Sequence, residues 1–405
     1  MPFANTAPLR REIESRLPER PFTIEFWDGS RVASTAGDGP VFSVRSPNAV
    51  AHALRAPGQL GLGRAYVSGE LEVDDIDKVI EVLDGWQPPA LERADKRALL
   101  LGAVRAAGLT LPPPRPAAEL RPSGRRHSKE RDARAVRHHY DVSNEYFELF
   151  LGPTMVYSCA IWRGGEKKTL EEAQEEKLDT VARKLQIKEG ERVLDVGCGW
   201  GGFPLWAATK YGASVVGITL SPPQAEKARQ RAEEAGVADR VEIRVMDYRD
   251  LAGSGEKFDA IASIGMVEHV GSGNIDLYAQ TLAGLLEPGG RLLNHGITRL
   301  RHSDPEAGAF SERYVFPDAA PLHLSRVLLA LERAGFVTHH VEDFGPDYAE
   351  TLRHWAKNFD EHLEEAIRLG GAERARVWRL YLRMARNGFE NGFLNIYQAR
   401  CSKAG

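Results

Sequence analysis

The chain has 405 residues, 42% of them apolar, and its 53 Lys and Arg against 57 Asp and Glu leave a net charge of −4, which allows one large core or two smaller ones and excludes a dominantly basic nucleic-acid binder. Three cysteines, Cys159, Cys198 and Cys401, have neither Cys-x-x-Cys spacing nor an even count, which argues against disulfides and structural zinc and fits a reducing cytoplasm. No signal-peptide pattern opens the chain and no run of about 18 apolar residues occurs, so any membrane contact is expected to be peripheral.

The first ~110 residues, an ordinary domain length, carry short alternating segments. Residues 22–30 read as a strand ending in the Asp28-Gly29 turn, and residues 41–44 as a second strand. Helical periods come next, at 49–54 and 76–83. The stretch 109–116, with Pro112, Pro113, Pro114 and Pro116, can neither continue a helix nor join a central strand. It is expected to be an extended linker, so the N-terminal domain is placed at 1–110, the linker at 111–139 and a catalytic domain at 140–405. Between Arg121 and His139 stand seven Lys/Arg and three His against Glu130 and Asp132. That run reads either as a solvated connector or as a contact for phosphate head groups, which basic residues approach with about 1 kcal/mol each at an anionic surface. Nucleic acid is disfavoured because no aromatic interleaves the cluster before Tyr140.

The most informative stretch is Val193-Leu194-Asp195-Val196-Gly197-Cys198-Gly199-Trp200-Gly201-Gly202. An apolar strand runs into a glycine turn that opens a helix, and glycines let backbone N–H groups approach a ligand. A second strand at 212–219 leads through Ser221-Pro222-Pro223 into a charged helix at 224–234. A dinucleotide site would place an acidic residue at the end of that strand. The chain has Thr219-Leu220-Ser221 instead and a G-x-G-x-G-G pattern, which favours S-adenosylmethionine over NAD. Further strands at 240–246, 258–264 and 290–295, the last after a Pro288-Gly289-Gly290 turn, alternate with helices as in an α/β parallel sheet. Ligands in such sheets bind beyond the carboxyl ends of the strands, which directs attention to Asp247-Tyr248, to 265–269 and to 295–297. The segment 299–318 interrupts the alternation and is placed to cover the site.

Several motifs together resemble the cyclopropane fatty acid synthase family: His139-Tyr140-Asp141-Val142-Ser143-Asn144, Tyr157-Ser158-Cys159-Ala160, the glycine turn, residues 265–270 and residues 344–352. The resemblance spans about residues 120 to 400, and the N-terminal region is similar to the accessory, lipid-associated domain of full-length bacterial members. It implies a Rossmann-like class I methyltransferase domain with a seven-stranded, mostly parallel sheet, beside a smaller N-terminal α+β domain. It also implies transfer of a one-carbon unit from S-adenosylmethionine to the cis double bond of an acyl chain in a phospholipid. By position, Tyr157, Ser158, Gly197, Gly199, Thr219, Leu220, Gln224, Asp247 and Tyr248 would hold the cofactor. Cys159, Glu268, His295, Ile297 and Tyr348 would hold a bicarbonate ion. Family members are often homodimers.

This chemistry passes through a carbocation, which water would quench. Tyr314, Phe316, Tyr348, Trp355 and Phe359 are candidates to exclude water and to face the cation with their rings. Bicarbonate then serves as the base, with Glu268 accommodating it through a shared proton. A cysteine found in the C-terminal helix of some members is replaced here by Ala385, which removes a thiol base at that place. Ser143-Asn144-Glu145 also departs from the Gly-Asn-Asp of typical cyclopropane synthases and looks more like actinobacterial enzymes that make 10-methylene precursors of 10-methyl fatty acids. Glu145 would then steer the cation, or simply sit on the first turn of a solvent-facing helix. The expected product is a 10-methylene acyl chain, saturated afterwards by a separate reductase; ring closure to a cyclopropane is the alternative. More distant alternatives are a small-molecule N-methyltransferase and a peripheral membrane protein without catalysis.

Overall fold

The structure, a computed structural model, describes residues 5–108, 113–120, 124–132, 134, 143–163, 168–303 and 308–404. They fall into two compact units, one spanning 1–121, 308–315 and 371–384, the other 122–307, 316–370 and 385–405.

In the smaller unit four short strands, β1 (Thr23–Glu25), β2 (Arg31–Val32), β3 (Val41–Val44) and β4 (Leu71–Val73), pair in the order β2-β1-β3-β4. The Asp28-Gly29 turn joins β1 to β2: Gly29 takes φ +77°, and the Phe26 N–H donates to the Ser30 carbonyl at 2.9 Å. Helix Pro47–Arg55 begins where the Ser46 hydroxyl accepts from the Asn48 N–H (3.1 Å), and helix Ile76–Gly85 where Asp75 accepts from the Lys78 N–H (3.1 Å). Both contain the predicted helical periods. Helices Ala7–Arg16, Gln59–Val67 and Arg93–Ala107 complete the unit, and Leu9, Ile13, Phe26, Val32, Val44 and Ala106 meet in its core. Of the proline stretch, residues 109–112 lie outside the described residues. The segment after it is anchored through Glu119, whose buried carboxylate accepts two hydrogen bonds from the Arg64 guanidinium, at 2.7 and 2.6 Å.

The larger unit holds β5 (Arg192–Val196), β6 (Ser214–Thr219), β7 (Val241–Val245), β8 (Phe258–Ile264), β9 (Leu286–Arg299), β10 (Leu322–His323), β11 (Phe336–Asp343) and β12 (Leu394–Lys403). Their order is β11-β12-β9-β8-β5-β6-β7, with β10 alongside β9. The five strands from β7 to β9 run parallel, and β12 is antiparallel to both its neighbours. This is the expected seven-strand, mostly parallel sheet with one short extra strand. The difference lies in β9, which continues through Pro288-Gly289-Gly290, where a turn was expected. Gly289 takes φ +73°, and the pairing with β8 is irregular between Phe258 and Ala260, so the turn residues are absorbed as a distortion of the strand. Helices cover both faces of the sheet, burying Leu194, Ile261, Leu282 and Leu292 on one side and Val193, Val215, Ala260 and Leu293 on the other. The strand order reverses between β5 and β8, and the crevice beyond their carboxyl ends is where such sheets bind ligands. No helix of the described residues is long and apolar enough to cross a membrane.

Candidate active site

At the end of β5 the backbone turns sharply, with Gly197 at φ +86°, Gly199 at +53° and Gly201 at +80°. The N–H groups of Gly197 and Cys198 both donate to the Ile218 carbonyl (3.0 and 2.9 Å), which fixes the turn against β6. A cleft lies over it, lined by Tyr157, Ser158, Lys177, Asp195, Gly197, Gly199, Gln224, Ile264 and Gly265 among others. A Cβ added at Gly199 would meet no atom within 4 Å, so the turn leaves space for a ligand to lie against backbone. Thr219 donates to Gln224 Oε1 at 2.8 Å, and Leu220 stands between Thr219 and Ser221, the helix cap. These residues fit S-adenosylmethionine. Asp247 and Tyr248 follow β7, but the Asp247 carboxylate already accepts from the Arg249 guanidinium (2.8 and 2.5 Å), so a donor from a cofactor would share it. Tyr248 is buried edge-on to Tyr278, and burial raises its hydroxyl pKa to about 12.

The sequence did not single out three polar groups under this cradle. Lys177, buried on helix Leu170–Leu185, donates to the Ser158 hydroxyl at 3.0 Å. Gln174, one turn earlier, donates to the carbonyl of Ser158 at 2.9 Å. Asp195 is buried in β5 with Oδ1 lacking a partner among the described residues. Burial lowers the Lys177 pKa to about 8 and raises that of Asp195 to about 7, each partly opposed by the other's charge. The signal was present: Gln174 and Lys177 fall on the same stripe as Leu170, Ala173, Leu178 and Val181, where a polar residue must find a buried partner.

The second cluster gathers around β9. His295 is fully buried, its ring lies 6.2 Å from the Phe344 ring, and its Nε2 has no partner among the described residues. Glu268, on the short turn after β8, is buried with Oε2 likewise unpartnered. Burial raises its pKa to about 7 against the opposing hydrogen bonds from its own backbone and that of Ile297. The Cys159 thiol donates to the carbonyls of Ala160 (3.1 Å) and Phe344 (3.7 Å). Burial keeps it protonated, so it is a donor and not a thiolate. Tyr348 sits one turn beyond Phe344 on helix Gly345–Glu361, its N–H bonded to the Phe344 carbonyl (3.0 Å). Cys159, His295 and Tyr348 thus each touch Phe344, and Glu268 meets the backbone of Ile297. An anion beside Glu268 requires a proton between them, and a carboxyl with a pKa near 7 can hold one.

An aromatic wall joins the clusters. Tyr157 stacks on Phe316 (6.4 Å) and packs against Trp355 (5.3 Å) and Phe147 (5.7 Å), and Trp355 meets Tyr348 (5.9 Å). Phe359 closes on Phe150 at 6.0 Å. Tyr314 is not part of this wall: it belongs to the smaller unit, where it stacks on Phe310 (4.8 Å) and its hydroxyl reaches Glu119 (3.5 Å).

Glu145 is also placed elsewhere. It is exposed on the first turn of helix Asn144–Leu151, capped by Ser143, where hydrogen bonds from its own backbone and Ser143 lower its pKa. It borders an open, acidic hollow with Glu148 and Glu365. The expected role of Glu145 in steering a cation is therefore corrected, because a solvated carboxylate has little leverage on buried charge. The basic segment is only partly described, residues 121–123, 133 and 135–142, with His139-Tyr140-Asp141-Val142, lying outside. Arg126 and Arg131 pair with Asp318, and Lys129 with Asp250, so these three cations are engaged by carboxylates of their own unit.

Residues 127–399 match the family described as mycolic acid cyclopropane synthetase. The chain belongs to this family. It is 39% identical to "Probable fatty acid methyltransferase Rv3720" of Mycobacterium tuberculosis over 97% of this chain and 93% of that one. It is 34% identical to the cyclopropane-fatty-acyl-phospholipid synthase of Escherichia coli K12 over 86% and 88%. A solved structure of the mycolic acid cyclopropane synthase CmaA1 with SAH and CTAB superposes with a TM-score of 0.63 at 31% identity, covering 67% of this chain and 98% of that one. The chain is an S-adenosylmethionine-dependent methyltransferase of Rossmann-like fold, as the motifs implied.

Proposed function

We propose that this enzyme transfers a one-carbon unit from S-adenosylmethionine to the cis double bond of an unsaturated acyl chain in a phospholipid, giving a 10-methylene chain through a carbocation. The observation that carries the reading is that two buried polar atoms, Glu268 Oε2 and His295 Nε2, have no partner among the described residues, in a unit that also holds the aromatic wall. Such a site suits an oxyanion and a cation in a space without water. S-adenosylmethionine, when bound, supplies the electrophilic carbon, and bicarbonate, when bound, supplies the base. Gly197, Gly199 and Ser158 hold the cofactor. Tyr157, Tyr348 and Trp355 exclude water and present π faces, while Glu268, His295, Cys159, Ile297 and Tyr348 surround the anion.

For the product, the Ser143-Asn144-Glu145 stretch and the similarity to a fatty acid methyltransferase along nearly the whole chain support branching, even though Glu145 itself is exposed. Ring closure is the second reading, favoured by the similarity to a cyclopropane-fatty-acyl-phospholipid synthase. Branching would be followed by a separate reductase, and the enzyme would work as a homodimer at the inner face of the membrane.

The lipid surface reading draws on helix Arg93–Ala107. Leu100, Leu101 and Val104 are 52%, 46% and 50% exposed and share a face with exposed Arg93, Lys96, Arg97 and Arg105, a mixed apolar and basic surface that suits an anionic lipid interface. The deciding experiment incubates the protein with oleoyl phospholipid vesicles, S-adenosylmethionine and bicarbonate, followed by proton NMR of the acyl chains. Vinylidene protons are expected. High-field ring protons would replace branching by cyclopropanation, and no lipid product would overturn the substrate class.

A further inference from the structure

The register of β9 and β12 sets Gln398 directly opposite His295, and opposite residues on one face of an antiparallel pair bring their side chains together. Both are fully buried, and Gln398 Nε2 lies 3.0 Å from His295 Nδ1. An amide and an imidazole each have two arrangements that would satisfy such a contact. A third group removes the choice. Lys184 Nζ lies 2.7 Å from Gln398 Oε1, and an ammonium has protons to give and no lone pair to accept with. Gln398 must therefore turn its oxygen to Lys184 and its NH₂ to His295, whose Nδ1 can then only accept. The one proton of the neutral ring is left on Nε2, the atom that is buried without a partner among the described residues. Lys184 is itself fixed, by Glu342 at 2.5 Å and by the face of the Phe344 ring at 4.9 Å.

We infer that Gln398, locked by Lys184, is a positioning residue that holds His295 in the Nε2–H tautomer, so that His295 meets an oxyanion as a hydrogen-bond donor and is unable to act as the base. The role rests on the reading of His295 as an anion-holding group given above. A doubly protonated ring is disfavoured as well. Its Nδ1–H would confront the Gln398 NH₂, and burial together with the Lys177 and Lys184 charges lowers the His295 pKa well below that of an ordinary histidine.

The test is nitrogen-15 NMR of the full-length protein labelled at histidine, with His295 assigned by its loss in His295→Gln. In the native protein Nδ1 is expected to resonate as an unprotonated nitrogen and Nε2 as a protonated one at neutral pH. Gln398→Glu keeps the shape but offers oxygens only, so the ring should reverse to Nδ1–H. The bicarbonate concentration for half-maximal activity should rise roughly tenfold or more, the loss of one charge-assisted hydrogen bond, with SAH affinity by calorimetry unchanged. A native spectrum showing Nδ1–H would overturn the inference, as would Gln398→Glu with Nε2–H and an unaltered bicarbonate dependence. Should Gln398→Glu not fold, Lys184→Met frees the amide to flip, and a single unchanged tautomer in that variant would overturn the lock. An enzyme with Nε2–H but no lipid product would count against the substrate reading and leave the lock standing.

Discussion

Lys177 Nζ lies 3.0 Å from Ser158 Oγ, with both side chains buried beneath the cofactor turn. The ammonium thereby holds the segment that carries Tyr157 and Ser158, and its charge offsets that of Asp195 in β5. Lys177→Met is expected to destabilise the larger unit by about 2 kcal/mol, since the buried Ser158 hydroxyl loses its ammonium donor. Ser158→Ala should cost only about 1 kcal/mol. The two losses should not add in the double variant. Urea unfolding of the four proteins measures this, and strict additivity would show that the hydrogen bond does not couple the two residues.

Glu268 gives a pH signature. Its folded-state pKa, about 7, lies above the ordinary carboxyl value of 4.5 because of burial, so its protonated form favours folding. That contribution is complete below the unfolded value and is lost as pH rises through about 7. Glu268→Gln should therefore stabilise the protein at pH well above 7, by up to roughly 3 kcal/mol, and make little difference at acid pH, while abolishing activity. Thermal melts of both proteins across that range decide it; a gain that does not depend on pH would mean that the carboxyl titrates alike in the folded and unfolded chain.

The glycine turn can be separated from ordinary backbone strain. Gly199 and Gly190 both have positive φ, at +53° and +78°, and an added Cβ meets nothing within 4 Å at either. Gly190 precedes β5, at the end of the strand away from the turn. Alanine at either position should cost about 1 kcal/mol of stability, yet only Gly199→Ala should weaken SAH binding, by about tenfold or more, because its methyl enters the ligand's space. Equal affinities in isothermal titration would place the cofactor elsewhere.

Binding to vesicles should depend on helix Arg93–Ala107. Replacing Leu100 and Leu101 by Ser removes apolar surface worth roughly 2 kcal/mol in contact with lipid, so partitioning onto anionic vesicles should fall at least tenfold. Activity on a detergent-dispersed phospholipid should be retained. Unchanged sedimentation with vesicles would exclude this helix as the lipid-facing surface.

The sheet and the cofactor turn are legible in the sequence because their signals are local: apolar runs, glycines at required positive φ, a Ser-Pro helix start. Glu268 follows β8, as its place after an apolar run suggests, whereas β9 runs on past His295 to Arg299, so the strand end expected at His295 lies four residues further on. Less legible are features set by distant parts of the chain. Gln398 and Lys184 lie 214 residues apart in sequence, and nothing local marks either as the other's partner. Tyr314 and Phe316 are only two positions apart, close enough to suggest one aromatic wall, yet they belong to different units. Glu145 departs from expectation for another reason, since a helix-capping acid and a catalytic one share a local pattern, and only burial tells them apart.

His295 pairs with Ile264 of β8 on one side and Gln398 of β12 on the other, so β9 is hydrogen-bonded along both edges at that point. Strands hydrogen-bonded on both edges exchange their amide protons only when the whole unit opens. Thermal inactivation of the chemistry should therefore coincide with loss of the entire larger unit, with no intermediate temperature at which the sheet survives and its catalytic centre has frayed.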